Sequence, residues 1–137
     1  REARRGNAAR MNVLDENILE SQRQALHDLR IAFRQIGVEL GRAGMSDRQV
    51  VALLHGLNRP TFFTRDDDFY DRELCHLRYC LVSIDAEEDE VAQYVALTLR
   101  HADLKTWVQR QGTVLRVSSQ GLRLWRLHAA RETRLSW

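Results

Sequence analysis

Residues 79–84, YCLVSI, form a near-continuous apolar run. A strand with one face in water alternates apolar and polar side chains, whereas an unbroken apolar strand is covered on both faces. Such strands belong to mostly parallel sheets, whose crossover helices lie on either side. The rest of the chain supplies those helices. Residues 18–30 place Ile18, Leu19, Ala25, Leu26 and Leu29 near one helical face. Residues 31–36, IAFRQI, follow as a strand, and Gly37, Gly41 and Gly44 break the chain into a loop. Ser46 is a good N-cap, and the helix it opens, SDRQVVALLHGL, turns Val50, Val51, Leu53 and Leu54 inward. Asn58-Arg59-Pro60 ends that helix, and residues 61–64 are the next strand. A short helix is expected at 69–77 and a long one at 87–110, with acids in its first turn and a bend near Ala102. Residues 113–128 read as a hairpin about Ser119-Gln120-Gly121. Together with an opening strand in MNVLDEN, this alternation predicts an α/β fold. It has a mostly parallel central sheet, helices on both faces and a C-terminal β-hairpin.

The 137 residues suffice for one domain with its own core, expected over 11–137. Residues 1–10, REARRGNAAR, are polar and arginine-rich and lack the apolar stretch of a signal peptide; a flexible basic extension is expected there. No apolar run approaches the roughly 20 residues of a membrane helix. Cys75 and Cys80 are then expected to be free thiols in a cytoplasmic protein. The net charge of +2 is unevenly spread. Residues 64–90 hold ten acids and three arginines, net −7, while residues 104–137 hold seven Lys/Arg and one Glu, net +6. An acidic centre with basic ends suits a metal site flanked by a polyanion-binding surface.

The acids fall at meaningful places. Asp15 follows the first strand, and Asp66 and Asp68 follow the strand at 61–64. Asp47 opens the helix leading into that second strand, so it too lies at the carboxyl edge of the sheet. Each has an ordinary explanation: Asp47 favours a helix N-terminus, Asp66 to Asp68 suit a turn, and Asp15 with Glu16 and Asn17 suits a cap. Their convergence from separate segments instead suits a hard divalent cation, which takes oxygen ligands.

The order LDEN, SDRQVVALL, TFFTRDDDF resembles the PIN-like fold of VapC-type toxin ribonucleases, and within it a compact subgroup whose first strand ends in LDEN. The resemblance covers residues 11–85 well and the terminal helix and hairpin more loosely. It implies a three-layer PIN-like sandwich and an endoribonuclease that uses Mg²⁺ or Mn²⁺. Carried over by position, it makes Asp15, Asp47 and Asp66 the metal ligands and Asp68 a fourth acid or an outer-sphere partner. Asp67 is expected to point away. Asn17 is placed to support an acid or a bound water. The glutamate that larger PIN domains carry between the first two acids has no motif match here, although Glu20 and Glu39 are available. The resemblance also implies an RNA substrate, a cognate antitoxin protein and homodimer formation. Arg48 and Arg65 lie beside the acids in sequence, and Arg116, Arg123 and Arg126 lie on the terminal hairpin; these five are the candidate RNA contacts. Alternation leaves open whether the hairpin arginines share a face.

Two other readings compete. One is a PIN-like module that binds RNA or protein without cutting. The other is a phosphate-accepting receiver domain, which requires a lysine after a late strand; Lys105 falls instead within the long helix expected at 87–110. The five histidines are scattered and form no complete zinc-ligand set with the cysteines. No glycine-rich phosphate loop or serine nucleophile motif is present.

Overall fold

The structure, a computed structural model, describes residues 11–137; the basic extension expected at 1–10 lies outside the described residues. The apolar run at 79–84 becomes the central strand of a seven-stranded sheet. The strands are β1 (Met11–Leu14), β2 (Arg34–Gln35), β3 (Pro60–Thr64), β4 (Cys80–Asp85), β5 (Thr113–Ser118), β6 (Gly121–Arg126) and β7 (Thr133–Leu135). The helices are α1 (Glu20–Asp28), α2 (Asp47–His55), α3 (Val91–Arg100) and α4 (Trp107–Arg110). The strand order is β2-β1-β3-β4-β5-β6-β7, parallel from β2 to β5 and antiparallel beyond. The expected α/β class and C-terminal hairpin are therefore present.

Alternation along the strands divides the core. Leu14, Phe63, Val82, Leu115 and Leu124 pack on one face with Leu26 of α1 and Val91 and Val95 of α3. Val13, Phe62, Leu81 and Val114 pack on the other with Val50 and Leu54 of α2. Phe62 and Phe63 are both fully buried, one on each face, and each contributes about 2–3 kcal/mol of transfer free energy. The connection from β1 to β2 thus crosses one face through α1, and that from β2 to β3 crosses the other through α2. Neighbouring strands β1 and β3 send their following segments to opposite sides, and such a switch opens a crevice at the carboxyl edge.

Several expected elements differ. The strand expected at 31–36 shortens to two residues, with Ile36 bridging to Leu40. The helix expected at 69–77 is replaced by two short 3-10 turns, Asp67–Phe69 and Arg72–Leu74. Asp66 Oδ1 accepts from Asp68 N and Asp71 Oδ1 from Glu73 N, and these local bonds compete with a continuous helix. The helix expected at 87–110 starts with a 3-10 turn at Glu88–Glu90 and ends at Arg100. His101 has extended ψ, its Nδ1 accepts from Asp103 N, and Thr106 opens α4 with a capping box to Gln109. Lys105 consequently lies in a connection, not in a helix. Strand β7 has no counterpart in the expected elements. Among the described residues, no helix is long and apolar enough to cross a membrane. Cys75 and Cys80 are free thiols; burial pushes Cys80 up to about 11.

Candidate metal centre

Asp15 is the first residue past β1, and its amide donates to Phe63 O of β3. That bond extends the parallel ladder by one step and sets Asp15 beside Thr64. The Thr64 hydroxyl donates to Asp15 Oδ2 at 2.5 Å and accepts from Asp66 N at 3.0 Å. One buried side chain thereby joins the carboxyl ends of β1 and β3. Asp66 Oδ1 caps the 3-10 turn through Asp68 N at 2.9 Å. Ser83 Oγ, one strand over, donates to Asp66 O at 3.2 Å. Phe69 closes the turn beneath by packing its ring 5.1 Å from that of Phe62.

Asp47 arrives from the other side. Ser46 caps α2, as the sequence predicts, and a capping box with Gln49 completes the cap; Asp47 occupies the first turn. The loop before it is held by Glu16, whose two carboxylate oxygens both accept from Gly44 N at 3.0 Å. Gly44 has φ +79, a conformation glycine adopts without strain. The segment after β1 is itself fixed by Gln35. Its buried Nε2 donates to Asp15 O and Ile18 O at 2.9 Å and to Glu16 O at 3.3 Å. Arg23 Nη1 in turn donates to Gln35 Oε1 at 3.0 Å.

Asp47, Asp66 and Asp68 each offer a carboxylate oxygen within 4.8 Å of the others. Opposite oxygens around a six-coordinate hard cation are about 4–5 Å apart, so the triad has the donor type and scale of such a site. Burial, then the charges of Asp66, Asp68 and Asp15, raise the pKa of Asp47. Burial also raises Asp15, against the opposing bond from Thr64. Among the described residues, no arginine or histidine forms an ion pair with any of these four acids. Negative charge is therefore concentrated without a cationic partner among the described residues.

The arrangement differs in detail from the expected one. Asp68 belongs to the close triad, and Asp15 stands beside it, bound to Thr64. Asp67 is exposed and outside the cluster, as expected. Asn17 is exposed, and its side chain forms no hydrogen bond among the described residues. Arg48 is exposed next to Asp47. Arg65 turns away, with Nε donating to Ala86 O at 2.9 Å. Arg126 lies on the opposite face of β6 from Arg123 and donates to Gln109 O at 3.0 Å. Arg116 and Arg123 are directly paired across β5 and β6 and share a face. Glu39 is bound to Arg23, and Glu20 pairs with Arg23 as well, so neither is an additional acid of the cluster. Thr64, Gln35 and Ser83 carry no local signal in the sequence that ties them to the site, and Glu16, expected only as part of a cap, instead holds the Gly44 loop. Lys105 is the chain's single lysine, and it precedes β5, so no lysine follows a late strand as a receiver requires.

No protein-family model matches the chain, and no curated protein or solved structure matches it at a significant level.

Proposed function

We propose that the chain is a metal-dependent endoribonuclease with a PIN-like three-layer sandwich. The observation that carries this reading is the convergence of Asp47, Asp66 and Asp68 on one point at the carboxyl edge of the sheet, with Asp15 beside them and no ion-paired cation among the described residues to balance them. Those three acids would hold Mg²⁺ or Mn²⁺, which supplies Lewis acidity and a more acidic bound water. Asp15 is suited to the proton. Its raised pKa brings it nearer the working pH, and the Thr64 hydroxyl fixes the carboxyl group through Oδ2. Gln35 and Glu16 keep the two halves of the site in register. The order of the acids supports the toxin half of a toxin–antitoxin pair, acting on RNA and restrained by an antitoxin protein. Homodimer formation and a cytoplasmic setting belong to the same proposal.

The test is cleavage of a mixed RNA pool by the purified chain with Mg²⁺ or Mn²⁺. Asp66→Asn and Asp47→Asn should abolish cutting, as should EDTA. Asp15→Asn should lower the rate about hundredfold or more. Metal binding by calorimetry without cleavage of any RNA would favour the non-cutting module instead.

A further inference from the structure

The strand register creates a second charged feature on the face that carries the acid cluster. Thr64 pairs with Ser83, Ser83 with Arg116, Arg116 with Arg123, and Arg123 with Arg134. These residues form a single row across β3, β4, β5, β6 and β7. Its β3 end is bonded to Asp15, and its far end consists of three arginines in succession. Like charges placed directly opposite each other on neighbouring strands are destabilising. Two carboxylates accompany them: Asp85 lies 3.5 Å from Arg116, and Glu132 lies 3.7 Å from Arg134. Asp85 is 62% exposed in the first pair and Arg134 is 78% exposed in the second, so water weakens both contacts. Positive charge remains in excess along the row.

Arg116 and Arg123 are also held in place. Ser83 Oγ accepts from Arg116 Nη1 at 2.8 Å. The Arg123 guanidinium lies 5.5 Å from the centre of the Tyr70 ring, and the Tyr70 hydroxyl donates to Glu132 at 2.5 Å. The three arginines border one open cleft of about 350 Å³. Guanidinium groups bind phosphate through paired donors, and fixed ones lose less entropy in doing so.

We propose that Arg116, Arg123 and Arg134 are a phosphate ladder that seats an extended single strand of RNA across β5, β6 and β7, leading away from the acid cluster. The choice of RNA rests on the nuclease reading; the phosphate chemistry does not. A single file of cations about 10 Å long, from two inter-strand steps, matches one backbone and not the paired backbones of a duplex. Ser83 connects the two parts, since it bonds both Asp66 O and Arg116. A strand lying on the ladder would therefore reach the acids at its β3 end.

The experiment is fluorescence anisotropy with a labelled 12-nucleotide uridine oligomer, in EDTA so that nothing is cut, at several salt concentrations. Arg123→Gln/Arg134→Gln alters two exposed side chains, and a thermal melt verifies its folding. The double variant should bind about tenfold more weakly at low salt, with a salt slope smaller by about 1.4, near 0.7 per lost contact. Arg100→Gln, on the exposed surface of α3, should bind as the wild type does. Equal affinity and slope in the double variant and wild type, or equal weakening by Arg100→Gln, would overturn the ladder. So would preference for a duplex over the single strand. A chain that binds through the ladder yet cuts no RNA with any divalent metal would sink the nuclease reading and leave the ladder standing.

Discussion

Burial sets Asp15 apart from a surface carboxylate. It raises the carboxyl pKa above the unfolded value near 3.9, and the Thr64 bond only partly opposes this. Folding therefore favours the protonated acid. Below the unfolded pKa both states are neutral at this site and nothing is lost. As pH rises through the unfolded and then the folded value, ionisation costs the native state more than the unfolded one, and the penalty is complete above the folded pKa. Asp15→Asn removes that penalty and keeps an oxygen to accept from Thr64. Without divalent metal it should raise Tm by a few degrees at pH 7, and the gain should fade toward pH 3; circular-dichroism melts across pH would check this. An unchanged or lower Tm at pH 7 would mean that the carboxylate is stabilising as it stands. Asp47 is legible in the sequence because a helix cap has a local signature in Ser46. Thr64 is not, since its partner Asp15 is 49 residues away and only strand register unites them.

Among the elements, β2 is the least self-sufficient. Two residues make few ladder bonds, and the Gln35 side chain supplies the rest by binding three carbonyls of the turn after β1. Gln35→Leu would remove the donor that those carbonyls share, while Arg23 keeps Glu20 and Glu39. A loss of about 2–3 kcal/mol in urea unfolding is expected, with a weaker metal affinity because the turn that carries Asp15 and Glu16 loosens. Unchanged stability would show that water replaces the amide at no cost. Apolar pattern announced β4 well, since its run is nearly unbroken, and β3 shows in the strand-favouring Thr and Phe side chains of residues 61–64. It overstated the segment at 69–77, where Asp66 and Asp71 bond their own backbone. It missed β7, three residues in a polar stretch whose pairing comes from β6 alone. The hairpin turn is visible in the sequence, but its register is not. A two-residue connection pairs Ser118 with Gly121, and this alone sets Arg116 against Arg123.

Across the whole molecule, alternation of strands and helices predicted the sheet class but not the place where β1 and β3 part. That place follows from α1 and the turns after β3 lying on opposite faces, which no single segment encodes. The same topology governs the order in which the chain can assemble. Strands β5 and β6 meet through a two-residue turn, whereas β1 pairs with β3 across two helices and a loop. Distant pairings form slowly because the intervening chain must first be ordered. Asp47 meets Asp66 and Asp68 only when α2 docks on the face that Val13 of β1 and Phe62 of β3 complete, so a cation bound among them stabilises the finished fold more than the barrier before it. Stabilisation absent from the transition state appears in the unfolding rate. Stopped-flow chevrons with and without Mn²⁺ should show a slower unfolding arm and a nearly unchanged refolding arm. An accelerated refolding arm would instead place the β1–β3 closure inside the folding nucleus. In the expected case the metal acts as a latch on a door already shut, lengthening the lifetime of the native chain without hastening its arrival.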